Sequence, residues 1–530
     1  MTTSQNPTDN TATEQVWDEE YDVVVVGSGG GALTAAYTAG VEGLRTLVLE
    51  KTPLFGGVTT YAGAAIWFPG NQIEMEGDPG DSVDLAREYL SHLLDDSAKA
   101  HYETYLETGP TLVDFLTAHP DINFTWNKFP DYFDRPGRRT GGRSIWPAPI
   151  EYEKVGEFLP FLRPALVFDR ANEPHPEAPI TQGRALIASL LLAGRSTGNV
   201  TFRTETPVMD LVVQDGRVIG VQAEHHGRSI HVRATHGVVI AAGGYESNAG
   251  LRTATNTPGD AAWTMSPAGA NTGDLITAGI RIGAATELMG DAWWNPGIEL
   301  SDGRPAVLVC IAGGIMIDGS GTRFCNEASP YDQAGRRMAG NLADGSTSGG
   351  TPHEPAWFVF DSRNGGKLPA ISLPGDDLER CIAAGTLVRA DSVVELSEKI
   401  GVPPQALADT VTRFNDAAST GVDADFHRGE DPYDLAFAAG TGPNPALVPL
   451  DQGPYYAARM VIADLGTKGG LRIDTDGRVL KKNGGVLGGL YACGNSTASM
   501  TGHTYPGPGL PIGLSMLFGY RAVKHIAAAR

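Results

Sequence analysis

The chain has 530 residues with 40 lysines and arginines against 62 aspartates and glutamates, a formal net charge of −22. A surface that acidic repels phosphate backbones, which argues against nucleic acid as a partner, while 41% hydrophobic content excludes disorder of the whole chain. The 68 glycines stand well above the usual ~7% with no collagen-like period, and point to tight turns and close backbone approaches around a large bound group.

Residues 1–17 have neither a basic segment nor an apolar core and read as a disordered leader. Tyr21–Val26 (YDVVVV) is a short β-branched run ending at glycine, a strand buried on both faces. A helix over Ala32 to Glu42 and a second strand over Arg45–Glu50 complete a βαβ unit. Leucines at spacings of three and four predict helix from Ser82 to His119, followed by Pro- and Gly-rich irregular chain from Asp121 to about Pro179. Ala185 to Gly194 is helical, and alternating segments from Val200 to Val232 include the hairpin signal Gln214-Asp-Gly-Arg217. His236–Gly244 is another buried strand ending in glycines. From about 292 to 466 long apolar strands become fewer and irregular chain more common, with a low-complexity loop at Gly345–Gly350. A strand over Gly489–Gly494 and an amphipathic helix over Leu510–Ala529 close the chain.

The expected organisation is a nucleotide-binding domain made from both ends of the sequence, residues 18–291 and 467–530, with a second domain, 292–466, inserted between them. The longest apolar run, Ala306 to Ile317, has 12 residues, short of the ~20 that span a bilayer; the chain reads as no integral membrane protein. Cys310, Cys325, Cys381 and Cys493 lie far apart with no C-x-x-C pair. That spacing predicts reduced thiols in a cytoplasmic protein, without a disulfide framework or a metal site.

The turn after the first strand reads Gly27-Ser28-Gly29-Gly30-Gly31-Ala32, a G-x-G-x-x-A pattern. The first glycine allows the tight turn, the second lets backbone approach a pyrophosphate, and the last small residue lets helix and strand pack. Free N–H groups at the helix start suit the phosphates. Glu50, at the end of the second strand, is placed to accept ribose hydroxyls. A second glycine-rich segment, Phe55 to Ala64, holds Gly56, Gly57, Thr59, Thr60, Ala62, Gly63 and Ala64. Near the other end, Gly494-Asn495 follows a strand, and Pro506–Gly509 precedes the helix that begins Leu510-Pro511-Ile512. That helix N-terminus, aimed at a flavin, would favour the negative charge formed on reduction.

Glu50 with Gly56-Gly57, Ala242-Gly243-Gly244, Asn271-Thr-Gly-Asp274 and Leu490–Asn495 resemble the succinate dehydrogenase/fumarate reductase flavoprotein superfamily. The resemblance implies an α/β fold, a Rossmann-like FAD-binding domain with an inserted α+β catalytic domain, and tightly bound FAD. It adds Lys51 and Val208 to the cofactor positions. The His-Thr-x-Gly-Gly and arginine-base segments of its dicarboxylate members are missing. Instead Phe129-Pro-Asp-Tyr132, Ser329-Pro-Tyr331 and Gly502-His-Thr-Tyr505-Pro-Gly-Pro-Gly509 resemble the bacterial 3-ketosteroid Δ1-dehydrogenases, from about Tyr21 to the C-terminus. Val58 and Ala62 depart from that pattern by replacing hydroxyl residues.

The resemblance implies that the Tyr505 hydroxyl and Gly509 N–H hold a steroid C3 carbonyl oxygen. Tyr331, helped by Tyr132, would remove a proton from C2 while a hydride leaves C1 for flavin N5, and an external electron acceptor would follow. Holding an ordinary phenol ionised at pH 7 costs ~4 kcal/mol, so a second tyrosine donating to the phenolate is useful and the rate is expected to rise with pH. Action at C4–C5, a fumarate-reductase-like activity, and a non-redox flavin-binding protein stay open as alternatives. Loose membrane association also stays open. Trp293, Trp294 and Phe129 fit either a steroid slot or core packing. His503 reads as a loop histidine bonded to backbone, Cys493 as a small buried residue, and Lys468 has no assignment.

Overall fold

The computed structural model describes residues 15–308, 313–340, 350–364 and 378–530. Most of the leader, Cys310 with part of the Ala306–Ile317 run, and most of the loop at Gly345–Gly350 lie outside the described residues.

Two sheets carry the molecule. The first has eight strands: β1 (Glu19–Val26), β2 (Thr46–Leu49), β3 (Val200–Arg203), β4 (Val208–Gln214), β5 (Arg217–His225), β6 (Arg228–Ile240) and, from the far end of the chain, β13 (Arg478–Leu480) and β14 (Val486–Ala492). Its centre is parallel, with Val23–Val26 of β1 between Thr46–Leu49 and Gly237–Ile240, β3 beyond β2 and β14 beyond β6. Parallel strands are covered on both faces, and the four valines of β1 are accordingly buried. One cover is α1 (Gly30–Val41), in which Gly30 to Gly40 are all buried. Behind it packs α2 (Gln182–Ser196). The expected hairpin joins β4 to β5, with Gln214 opposite Arg217 and both turn residues, Asp215 and Gly216, at positive φ as a type I′ turn requires.

The second sheet has six strands, all antiparallel: β7 (Ala292–Glu299), β8 (Pro305–Val307), β9 (Ile315–Asp318), β10 (Ala356–Asp361), β11 (Leu387–Ala390) and the 13-residue β12 (Tyr455–Thr467). The middle, where long apolar strands read as fewer and irregular chain as more common, thus carries a sheet of its own. β12 lies at the centre of the sheet and is buried along most of its length, so it lacks the apolar–polar alternation of a half-exposed strand. Helix α3 (Tyr331–Met338) packs on β7 so closely that a Cβ on Gly335 would come within 3 Å of the Trp294–Asn295 backbone.

Two further readings change. The helix expected over Ser82–His119 is two, Val83–Ser91 and Lys99–Thr117. The leucine periodicity continues across the break, but Asp95 and Asp96 open a separate turn there. The terminal helix α4 (Leu510–Ala528) is not simply amphipathic: most of its residues from Leu510 to Val523 are buried, because it runs against α1 and also touches the helix Lys99–Thr117. A Cβ on Gly31 would come within 2.5 Å of the Ser515 carbonyl.

Candidate active site

A cavity of about 440 Å³ opens where the carboxyl ends of β1, β2 and β6 meet the N-termini of α1 and α4 and the edge of the second sheet. At one end the chain forms a cradle of backbone. Gly27 turns at φ +105°, where a Cβ would lie 2.2 Å from the Ala241 carbonyl oxygen; only glycine makes this turn. The Glu50 carboxylate accepts the Ser28 hydroxyl at 2.6 Å and the Thr52 N–H at 2.8 Å, which fixes it at the cavity wall. Gly30 N–H bonds to the Thr59 hydroxyl at 3.2 Å, drawing the second glycine-rich segment over the first. Lys51 reaches across to Thr272 at 2.7 Å and Asp274 at 3.1 Å.

The starts of α1 and α4 share one feature. Neither α1 nor α4 has a capping side chain or an acidic residue in its first turn; their N-caps are Gly29 and Gly509. Both therefore present positive dipole ends to whatever fills the space. A Cβ on Gly63 would meet nothing within 4 Å. These features fit a dinucleotide, with its diphosphate on the start of α1 and its ring system beside Ala62–Ala64 and the start of α4.

Four expected cofactor positions do not line the cavity. Ala32 is enclosed within α1, where its size serves packing. Gly56 gives its N–H to the Ser28 hydroxyl at 2.9 Å, and Thr60 bonds back to the Gly57 carbonyl at 2.9 Å; both shape the loop from behind. Leu510 is buried in the core. The remaining expected positions, Val208, Ala242, Gly243, Asn271, Gly494, Asn495, Pro511 and Ile512 among them, do line it.

At the other end stand three phenols from three parts of the chain. Tyr132 follows Asp131, a fully buried carboxylate that accepts Trp67 Nε1 at 2.8 Å, Arg139 N at 3.1 Å and an Arg143 guanidinium nitrogen at 2.6 Å. Arg143 in turn forks onto Asp81 at 2.7 and 2.8 Å. Tyr505 sits on a loop whose carbonyls are held by neighbours: Pro506 O takes Tyr132 N at 3.0 Å and the Tyr89 hydroxyl at 2.7 Å, and Pro508 O takes the Ser144 hydroxyl at 2.6 Å. Gly509 turns at φ +85°, with 2.0 Å between a would-be Cβ and the Ala65 carbonyl oxygen, so glycine is obligatory there too. Tyr331 is the first residue of α3, brought in by the second sheet.

The three rings meet edge to face, with centroids 6.2 Å (Tyr132–Tyr331), 5.2 Å (Tyr132–Tyr505) and 5.8 Å (Tyr331–Tyr505) apart. The Tyr331 hydroxyl donates to the Tyr505 oxygen at 3.1 Å, and Gly509 N–H donates to the same oxygen at 3.2 Å. Accepting twice, Tyr505 keeps its own proton, which has no acceptor among the described residues. Burial pushes the Tyr505 phenol up to about 12, against the lowering effect of those two donors. Burial raises Tyr331 and Tyr132 well above the ordinary phenol value, Tyr331 further through Tyr505, and Tyr132 further through its phenol neighbours.

Trp293 and Phe129 line the cavity, and Trp293 packs at 5.0 Å on the Tyr505 ring. Trp294 is core: it is buried and gives Nε1 to Asp291 at 2.8 Å. His503 is bonded to a carboxylate rather than to backbone, through Nδ1 to Asp291 at 2.8 Å, because β7 brings Asp291 under the loop. Cys493 is buried and pushed up to about 12, which leaves a thiol unsuited to redox work. Trp146, Met265, Val307 and Leu465 also line the cavity. Trp146 and Met265 stand in stretches with no motif around them. Val307 belongs to the apolar run from Ala306, and Leu465 to the segment Asp464-Leu-Gly-Thr-Lys-Gly-Gly470, which resembles the same dehydrogenases but gives the leucine no role.

Residues 22–512 match the family described as FAD binding domain. The chain is 39% identical to a 3-oxosteroid 1-dehydrogenase of Mycolicibacterium smegmatis, over 96% of this chain and 98% of that one. It is 35% identical to a 4-oxocyclohexanecarboxylate 2-dehydrogenase of Sinomonas cyclohexanicum, over 96% and 93%. Among solved structures it is similar to the 3-ketosteroid Δ1-dehydrogenase of Sterolibacterium denitrificans in complex with 1,4-androstadiene-3,17-dione, with a TM-score of 0.87, 32% identity, and 97% and 100% of the two chains covered.

Proposed function

The chain belongs to the FAD binding domain family, and on that premise we propose that it is an FAD-dependent 3-oxosteroid 1-dehydrogenase, which introduces a C1–C2 double bond into ring A. The relatives at 39% identity and the structural neighbour with a bound steroid dienone support the reading. The observation that carries it is the Tyr505 phenol, which accepts from Tyr331 and Gly509 and has its own proton to offer.

A proton beside a ketone is removable only when the developing enolate oxygen is stabilised by donors already in place. Tyr505 O–H and Gly509 N–H lie 3.2 Å from one another and can converge on one ketone oxygen, the Gly509 donor turning from Tyr505 to the substrate. Tyr331 takes the proton from C2. Its phenol is protonated and bonded to Tyr505, and burial raises its pKa, so reaching the basic form costs more than the ~4 kcal/mol of an ordinary phenol at pH 7. Tyr132, packed against both rings, supplies the hydrogen bond that offsets part of this. Phe129, Trp146 and Trp293 give the apolar walls and keep water from the reacting carbons. Bound FAD supplies the acceptor for the hydride leaving C1. The start of α4 would stabilise negative charge on a flavin held beside it.

The segments 18–291 and 467–530 form the FAD-binding part in this reading and 292–466 the catalytic part. An external acceptor reoxidises the enzyme, and the cytoplasm is its location. No helix among the described residues is long and apolar enough to cross a membrane.

Anaerobic mixing of the yellow holoprotein with androst-4-ene-3,17-dione tests the proposal. Bleaching of the flavin band with formation of the 1,4-diene is the expected result. Bleaching by 4-oxocyclohexanecarboxylate alone would replace the steroid with a single-ring ketone, as for the Sinomonas relative. No bleaching by either overturns the reading.

A further inference from the structure

Lys468 is completely enclosed, with 1% of its surface exposed, and no carboxylate lies within 4 Å of its ammonium among the described residues. An enclosed ammonium without a paired anion is costly. Packing alone does not call for a lysine at this position.

Its surroundings say what it holds. Nζ donates to the Thr504 carbonyl at 2.5 Å, the residue immediately before Tyr505. The same nitrogen stands 4.3 Å from the centre of the Trp293 ring, and the other side of that geometry is the 5.0 Å edge-to-face contact between Trp293 and Tyr505. Trp293 is tied in turn to the cofactor side, since its Nε1 donates to Asn495 Oδ1 at 3.1 Å. The lysine backbone is pinned as well, with its N–H on Asp291 O at 2.9 Å and its carbonyl taking Ser499 N–H at 3.1 Å. The next two residues are glycines because the chain is squeezed there: a Cβ on Gly469 would come within 2.3 Å of the Leu288 carbonyl, and one on Gly470 within 2.5 Å of the Ser496 carbonyl. The ammonium therefore has a fixed origin and two targets, both adjoining the same phenol.

We infer that Lys468 is a positioning residue for Tyr505: it clamps the carbonyl before it and the tryptophan beside it, and so holds the phenol over Gly509. A cation on the face of an indole is a directional contact, strongest when water is excluded. A charge-assisted hydrogen bond to a carbonyl fixes the loop more firmly than a neutral one. Arg336, Asp291 and Asp332 are the charged groups around it. Burial first, then Arg336, bring its pKa down to about 7, with the two carboxylates opposing.

The inference rests on the proposed role of Tyr505 for its meaning in catalysis, but its test does not depend on turnover alone. The experiment is a crystal structure of the Lys468→Met holoenzyme together with steady-state kinetics on androst-4-ene-3,17-dione. The Tyr505 oxygen is expected to leave hydrogen-bond distance of Gly509 N, and kcat to fall roughly 10- to 100-fold, as small misplacements of catalytic groups do, with KM changed less than about threefold. Lys468→Arg is expected to restore most of the rate. A Tyr505 oxygen still bonded to Gly509 N in the methionine variant overturns the inference whatever the rate. A kcat within twofold of wild type overturns it equally. Should Lys468→Met fail to fold, the same two measurements on Lys468→Gln decide the matter in the same way. A wild-type enzyme inactive on every cyclic ketone would instead remove the proposed function and leave the positional test standing.

Discussion

At the nucleotide end of the cavity, Ser28 and Glu50 are bonded across 22 residues of sequence, and the glycines between them sit in a single strand–turn–helix–strand unit. At the phenol end, Tyr331 and Tyr505 are bonded across 174 residues, and Tyr132 joins them from a third segment. The first region is made of backbone: its working groups are N–H dipoles and spaces where no Cβ fits. The second is made of side chains, set on loops whose backbone is held by hydroxyls from elsewhere, Tyr89 on Pro506 O and Ser144 on Pro508 O. A substitution in the first should therefore disturb folding and cofactor retention together, while one in the second should disturb chemistry and leave the cofactor in place.

The largest break in that contrast is expected from Gly27→Ala. The added Cβ would collide with the Ala241 carbonyl at a φ of +105°, a combined strain and overlap of at least ~3 kcal/mol. Purified protein should be colourless, with a melting temperature well below that of wild type. A yellow, normally stable variant would show that the cradle is not set by this turn.

Next come the phenols. Tyr505→Phe should keep its full complement of flavin and lose about 10² to 10³ in kcat, the usual effect of one donor to a developing oxyanion. Tyr331→Phe sharpens the comparison through pH. Burial raises the Tyr331 pKa, so the deprotonated fraction, and with it kcat, should grow with pH throughout the range below that value. The phenylalanine variant should lose the slope. The rise has an upper end set by stability. Tyr89 and Tyr105 are also raised well above the ordinary value by burial, and stability tied to them is present below the unfolded phenol value of ~10 and lost as pH climbs past it. A kcat flat from pH 6 to 10 in both proteins would exclude a phenolic base.

The smallest effect is expected from Ser144→Ala, which removes the hydroxyl on Pro508 O. Loss of that one bond should lower stability by ~1 kcal/mol and kcat by less than tenfold. Unchanged flavin content would place the residue with the phenol region.

Much of the cradle is legible in the sequence as a spaced pattern of glycines and an acid, although the atoms that exclude a side chain at Gly27 and Gly31 belong to Ala241 and Ser515, far along the chain. Thr60 and Gly56 read as cofactor positions by the same pattern, yet neither lines the cavity and both are bonded within the cradle itself. The middle of the chain reads poorly. β12 is buried along most of its length and lacks alternation, so its 13 residues give no strand signal. The adjacent Trp293 and Trp294 cannot be told apart in sequence: one faces the cavity and the other the core, which is a matter of strand phase in β7. The expected backbone partner for His503 is wrong because Asp291, its real one, is more than 200 residues away.

The glycine spacing of the dinucleotide turn and Glu50 at the end of the second strand are read from the sequence by their pattern, whereas the three separated tyrosine segments stand out only through the family resemblance they carry. Where the tyrosines point, which hydroxyl donates to which, and that an enclosed ammonium stands behind Tyr505 are decided only when two sheets close on one another. Contacts of about 3 Å between residues so distant in the chain depend on the sum of every intervening packing choice, and no short stretch of sequence contains that sum.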